Sequence, residues 1–523
     1  MLIAKESGTY YTPLRTVEFM CDYVAAHQKK PSTILEPSAG DGRFIFALQK
    51  RGYGNSYTAI EYDSEKIPLL RERIEQKSTH IFENDFLEFA QQSKRVYDLI
   101  IGNPPYISIK NMKKSFLQEA RDLCESLSLP TSLVKNSWVA FILGSMRVLA
   151  PGGAIFFVLP VEFLQVQYAE VLRNFLEKHF NTIQILTFKE KMFPKIEQNT
   201  CLVFLTNQEK NTPYILYRQY KTLSGAIVLH ESQIKRNKPL KKWTNAVLSD
   251  SDIDLLRRLA DYYPHINTLV TSTPGIVTGA NKVFILNHKE VAKYKCEKFV
   301  KPIISKASTI RCSFAIDHNL VRELSDAGEK IYFLDLNGIK EIDLPRELRL
   351  YLQEAGRIKR NNIEIRNSYK CSRRNPWYAV PVTKSGDAVF FKRYDSLPRI
   401  CVKLRDIYTT DIAYNLMFKE NIDPASFVFS FYNSLTLAYC EFLGRYYGGG
   451  VSELIPKEFK QLPIPYQNVE PEDIQKLARM LQNHASLENI LNFVDARTLG
   501  SLVGKSDILR LRAIRNRLMV RRL

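Results

Sequence analysis

A chain of 523 residues, 45% hydrophobic and 11% aromatic, carries more apolar material than one core usually organises, so two domains are expected and a disordered chain is excluded. The 74 Lys and Arg against 55 Asp and Glu leave a formal charge of +19, which points to a polyanionic partner; nearly all of the excess falls after residue 210. The opening residues lack the basic-then-apolar order of a signal peptide, the most apolar stretch (154–161) is too short for a bilayer, and the eight scattered cysteines form no Cys-x-x-Cys pair, so membrane, metal and disulfide frameworks are set aside and the cytoplasm is expected.

In chain order, β-rich runs at 33–36, 57–62, 80–82 and 97–101 are followed by further runs at 154–159, 183–186 and 201–205. Helical patterns at 44–50, 65–76 and 137–149 lie between several of them. Apolar strands alternating with helices predict a doubly wound α/β sheet of Rossmann-like type. From about residue 207 the alternation fades and Lys, Arg, Tyr and Phe become denser. The expected division is therefore a first domain of residues 1–206 and a mixed α+β domain of residues 207–523. The chain closes on six arginines between 510 and 523, interleaved with Leu, Ile and Val, which reads as a basic amphipathic helix that packs or touches a polyanion backbone rather than a membrane anchor.

The turn after the first strand, Glu36-Pro37-Ser38-Ala39-Gly40-Asp41-Gly42, opens into a helix. Glycines there let backbone approach a ligand, and the helix start offers free N–H groups to an anionic moiety. The spacing is not Gly-x-Gly-x-x-Gly, so a small nucleoside cofactor fits better than a dinucleotide. Glu61 ends the second strand, where a carboxylate can accept from both ribose hydroxyls, and Asp85 follows the third, where it can meet an adenine amino group. Each acid alone is an ordinary surface or capping residue; three at successive strand ends make a site.

The fourth strand runs straight into Asn103-Pro104-Pro105-Tyr106. An exocyclic adenine nitrogen is a poor nucleophile because its lone pair is delocalised into the ring. Two acceptors, the Asn103 side-chain oxygen and the Pro104 carbonyl, would draw that nitrogen toward tetrahedral geometry, and tandem prolines hold them rigid. Tyr106 offers a face on which an extruded base can stack. A methyl on a sulfonium, as in S-adenosyl-L-methionine, is already activated, which leaves positioning as the main task of the protein.

Thr9-Tyr10-Tyr11-Thr12-Pro13, the 36–42 turn, Glu61, Asp85 and Asn103–Tyr106 come in the order found in gamma-type N6-adenine DNA methyltransferases of bacterial restriction–modification systems, and the whole chain resembles that family. The resemblance implies that Thr12, with Glu36, Ser38, Gly40 and Gly42, holds the methionine end of S-adenosyl-L-methionine, and that Phe157 packs on the cofactor adenine. It also implies an aromatic against the flipped base, and Phe193 and Phe204 are both candidates. Double-stranded DNA is the implied partner, with room for a cognate restriction endonuclease acting on the same site without stable association.

In the second half, segments 273–284, 373–378 and 448–456 resemble target-recognition regions of such enzymes. The basic residues Lys370, Arg373, Arg374, Lys392, Arg393, Lys403 and Arg405 have a density suited to phosphate contacts, with Arg373, Arg374, Lys392 and Arg393 the leading candidates. Asn-Pro-Pro-Tyr also serves enzymes acting on RNA bases or protein glutamine, so these remain alternatives, as does a nuclease fusion for which Ile331–Asp335 is the only hint.

Overall fold

In a computed structural model the chain is described over residues 11–194, 199–207, 213–235, 240–310, 313–446, 450–500 and 502–522. Thr9 and Tyr10 of the first motif, Cys312 and the glycines 448 and 449 lie outside the described residues. The chain forms two compact units, the first running to Ile253 and the second comprising most of Asp254–Met519.

In the first unit a helix, α1 (Leu14–His27), begins directly after Pro13, whose φ of −56° already suits a helix start. Nine strands then form one sheet: β1 (Thr33–Glu36), β2 (Ser56–Glu61), β3 (Thr79–Glu83), β4 (Tyr97–Gly102), β5 (Leu149–Pro160), β6 (Thr182–Phe188), β7 (Thr200–Thr206), β8 (Tyr214–Tyr220) and β9 (Val228–Lys235). Their spatial order is 3-2-1-4-5-7-6-8-9. Strands β1 to β5 pair in parallel and β7 runs antiparallel beside β5. The helices between them are α2 (Arg43–Lys50), α3 (Ile67–Arg73), α4 (Phe86–Gln92), α5 (Lys114–Ser126), α6 (Ser137–Arg147) and α7 (Glu170–His179). Helix α6 is apolar on every side and is buried from Ser137 to Ser145. The order reverses between β1 and β4, so a crevice opens at the carboxyl ends of these strands.

The expected boundary at 206/207 falls between β7 and β8, inside the sheet. The rhythm changes there because β8 and β9 follow β7 with no described helix between them, and β9 is largely exposed at the sheet edge. Arg218 and Glu231 face each other across β8 and β9, 2.6 Å apart, the pair of opposite charges that suits a half-solvated strand pair.

The second unit holds a five-stranded sheet in the order Val270–Pro274, Ala413–Phe418, Ala388–Phe391, Arg399–Lys403 and Ala315–Ile316. A four-stranded sheet and several helices complete it, with Phe284, Phe333, Leu348 and Cys371 at the centre of one core. The closing helix, Lys505–Val520, is a packing helix: Arg512 meets Asp495 at 2.8 Å and Arg515 is 4% exposed, so part of its charge turns inward. Asp335, the hint of a nuclease, is paired with Lys301 at 2.7 Å and with Asn337 at 2.6 Å.

Candidate active site

The loops leaving β1, β2 and β4 are stitched to one another. Gly40 N–H donates to Glu61 Oε2 at 2.7 Å and Asp63 N–H to Glu61 Oε1 at 2.9 Å. The Ser38 hydroxyl donates to the Asn103 carbonyl at 3.2 Å. Gly40 turns at φ +58°, where Tyr11 closes over it so that a Cβ would sit 3.5 Å from the ring. These loops wall a cavity of about 990 Å³, within the range of nucleoside-sized ligands.

Thr12, Glu36, Ser38, Gly40, Glu61, Asp85 and Asn103 come together on this wall. Gly42, Phe157, Pro104 and Tyr106, also expected at the site, are not among the residues lining this cavity. Gly42, at φ +74°, caps α2 and faces Leu70 and Ile74. Phe157 is 1% exposed in β5, paired with Gly102 and Val203. Pro104 is buried just behind Asn103. Tyr106 turns its hydroxyl to Asn103 Oδ1 and the Val158 carbonyl, both at 3.0 Å. Phe204 is fully buried against Tyr23 and Phe156, and Phe193 is 7% exposed in the same core, so neither candidate stands free.

The wall is acidic, and its carboxyls differ. Glu36 is buried, which pushes its carboxyl well above the ordinary range although Ile45 N–H donates to it. Burial also raises Asp85, which caps α4 by accepting from Leu87 N–H at 2.8 Å. Burial alone would raise Asp41, but the Arg43 and Arg73 guanidiniums outweigh it and hold its carboxyl below the ordinary range.

Several wall residues carried no sequence signal strong enough to be chosen. Arg43 donates to the Thr12 carbonyl, and its guanidinium lies 4.9 Å from the Tyr11 ring centre. Ser137, first in α6, bonds the Pro105 carbonyl and accepts from Ile107 N–H, gripping the turn after Asn103. Phe86 and Phe141 stack with centroids 5.1 Å apart beside Asp85 and give the cavity wall an apolar patch. The Lys113 ammonium stands 4.3 Å from the Tyr62 ring centre and donates to its hydroxyl at the same wall. All are ordinary residue types inside helices or loops, and only the fold brings them together.

In the second unit the basic candidates separate. Arg374 donates to the Val277 and Thr278 carbonyls at 2.8 Å each, so its charge secures a loop. Lys403 is 3% exposed and donates to Ser385 and to the Leu404 and Ile407 carbonyls; burial pulls it down to about 8. Arg405 grips Asp387 through two bonds. Arg373 is exposed, Lys392 half-buried, and Arg393 is exposed with Glu453 at 3.4 Å.

The strand order 3-2-1-4-5-7-6, carboxylates at the ends of β1 and β2 and just past β3, and Asn-Pro-Pro-Tyr after β4 define a Rossmann-like methyltransferase unit followed by an α+β unit. Residues 43–193 match the family described as Eco57I restriction-modification methylase, and residues 240–499 match the C-terminal domain of Type II methyltransferase M.Eco57I. The chain belongs to the Eco57I family of restriction–modification methylases. It is 22% identical over 392 residues to Type II methyltransferase M.AccI of Acinetobacter calcoaceticus, covering 72% of this chain and 69% of that one. It is likewise 22% identical over 482 residues to M.XamI of Xanthomonas campestris pv. amaranthicola, covering 88% and 86%. M.HincII of Haemophilus influenzae is 31% identical over 196 residues, about a third of each chain, at 37% and 36%. Among solved structures, the Type IIL restriction-modification enzyme MmeI in complex with DNA aligns with a TM-score of 0.61, covering 97% of this chain and 76% of that one; at 12% identity this is a likeness of fold.

Proposed function

We propose that the protein is a site-specific DNA adenine N6-methyltransferase that uses S-adenosyl-L-methionine, the modification component of a type II restriction–modification system. The observation that carries this reading is the turn after β4. Asn103 stands on the cavity wall, Pro104 follows it in the chain, and among the described residues nothing donates to the Pro104 carbonyl. Two rigid acceptors side by side suit the two N–H groups of a planar amino nitrogen.

The cavity fits the cofactor by its own chemistry: a glycine turn for close approach, Glu61 for ribose hydroxyls, and Asp85 beside the Phe86–Phe141 stack for an adenine ring. When bound, the cofactor supplies a methyl on a cationic sulfonium, which an acidic wall favours electrostatically. Thr12 and the 36–42 turn hold its methionine end. Asn103 and the Pro104 carbonyl accept from the target amino group, while Tyr106, Ser38 and Ser137 fix the turn that carries them. The base leaves the duplex to reach them, and the chain after residue 210, where the positive charge concentrates, holds the DNA.

Asn103→Ala is expected to lower methyl transfer by at least about a hundredfold while cofactor binding stays measurable. The measurement is tritiated methyl incorporation into DNA, RNA or protein extract, with nucleoside analysis of the product. Incorporation confined to RNA or protein, or an Asn103→Ala protein close to wild type, overturns the reading.

A further inference from the structure

Residues 357–364 form a small two-stranded finger on the second unit. Lys359 pairs with Glu364 and Arg360 with Ile363, antiparallel, around a tip of Asn361 and Asn362 at φ +51° and +62°. Its base is fixed: Ile365 N–H donates to the Ile358 carbonyl at 2.9 Å, and Trp377 packs so closely on Gly356 that a Cβ there would come to 3.0 Å. Every residue from Arg357 to Ile363 is exposed, including Ile358 at 54% and Ile363 at 52%. Among the described residues Arg357, Lys359 and Arg360 enter no ion pair, while the one acid of the finger, Glu364, is taken by Arg366 at 2.7 Å. Next along the chain, Tyr369 is 64% exposed with the Arg373 guanidinium stacked 4.0 Å from its ring centre.

We infer that this finger enters the major groove of DNA and reads bases through Asn361 and Asn362, with Lys359 and Arg360 on the flanking phosphates; the inference rests on the proposed DNA methylation. A two-stranded ribbon is one of the few elements the major groove admits, asparagine matches the N6 and N7 edge of adenine, and an exposed isoleucine suits a thymine methyl. Unpaired cations beside a rigid base are what phosphate contacts require. The competing explanation is that the asparagines serve only the turn, since a tight hairpin needs positive φ at both positions.

Glycine separates the two, because it holds positive φ at least as readily but offers no amide. In full-length protein, Asn361→Gly with Asn362→Gly is expected to retain the hairpin, cofactor binding and affinity for random DNA, and to relax the methylated site, with discrimination at one or two positions falling about tenfold or more. Modification-sensitive sequencing of host DNA reads this directly. Lys359→Ala with Arg360→Ala is expected to weaken binding to every sequence and to reduce the slope of log affinity against log salt by about 2. An unaltered methylation site in the first variant, or an unaltered salt slope in the second, overturns the inference. A wild-type protein that leaves DNA adenine unmethylated instead overturns the proposed function itself.

Discussion

Arg43 sits in the first turn of α2 and binds at three places: Asp41 through Nε and Nη2, the Thr12 carbonyl through Nη1, and the face of Tyr11. It thereby holds the segment before α1 across the 36–42 turn. Arg43→Ala is expected to raise the KM for S-adenosyl-L-methionine about tenfold, equivalent to about 1.4 kcal/mol, with a much smaller change in kcat; an unchanged KM shows that the latch does not serve the cavity. The same side chain depresses the Asp41 carboxyl. A depressed acid stabilises the fold above its unfolded pKa, about 4, and loses that contribution as pH falls through its folded value. The stability gap between wild type and Arg43→Ala is therefore expected to close on acidification, as followed by thermal unfolding at stepped pH. Sequence pattern marked Asn103, Glu61 and Asp85 because each stands at or just past a strand end; Arg43 carried no such mark, since its partners Tyr11 and Thr12 lie some thirty residues away.

At the scale of elements, the start of α2 shows how a glycine can belong to a site motif and serve the core. Gly42 is in the left-handed region, and an added methyl would meet Leu70 at 2.4 Å and Ile74 at 2.8 Å. Gly42→Ala is expected to destabilise the first unit by about 1–3 kcal/mol through backbone strain and overpacking of α3. Calorimetry of the full chain checks this; a melting temperature equal to wild type contradicts it. Strands β1, β2 and β4 to β7 were legible as short apolar runs, because strands buried on both faces cannot hide among polar residues, whereas β3, mostly exposed, was marked only by its run at 80–82. Strands β8 and β9 were not: β8, though mostly buried, interrupts its apolar residues with Tyr, Arg and Gln, and β9, exposed at the sheet edge, carries Glu, Ser, Gln and Lys like a loop. The predicted helix at 65–76 shrinks to Ile67–Arg73 behind a short turn at Ser64–Lys66, a correction at its ends where capping rather than periodicity decides.

For the whole molecule, the charge of +19 is a statement about partners rather than about fold. With the positive charge concentrated after residue 210, DNA affinity is expected to fall steeply and linearly on a log–log salt plot and to survive removal of the cofactor largely intact. Titrations at roughly 50 to 200 mM salt test it; a flat profile removes the basic region after residue 210 as the DNA clamp. Not every basic residue contributes, since Arg374, Lys403 and Arg405 spend their charge on neighbouring carbonyls, Ser385 and Asp387.

By itself, the sequence determined the class of sheet, the acids at its strand ends and the Asn-Pro-Pro-Tyr turn, because strand periodicity and proline-fixed turns are local properties that survive without partners. Only the tertiary structure decided that the first unit runs on to Ile253, that Phe86 and Phe141 rather than Phe157 face the cavity, and that Arg374 is bound while Arg360 stays exposed. Those outcomes depend on which distant side chains and carbonyls arrive within bonding distance, and separation along a chain carries no record of that.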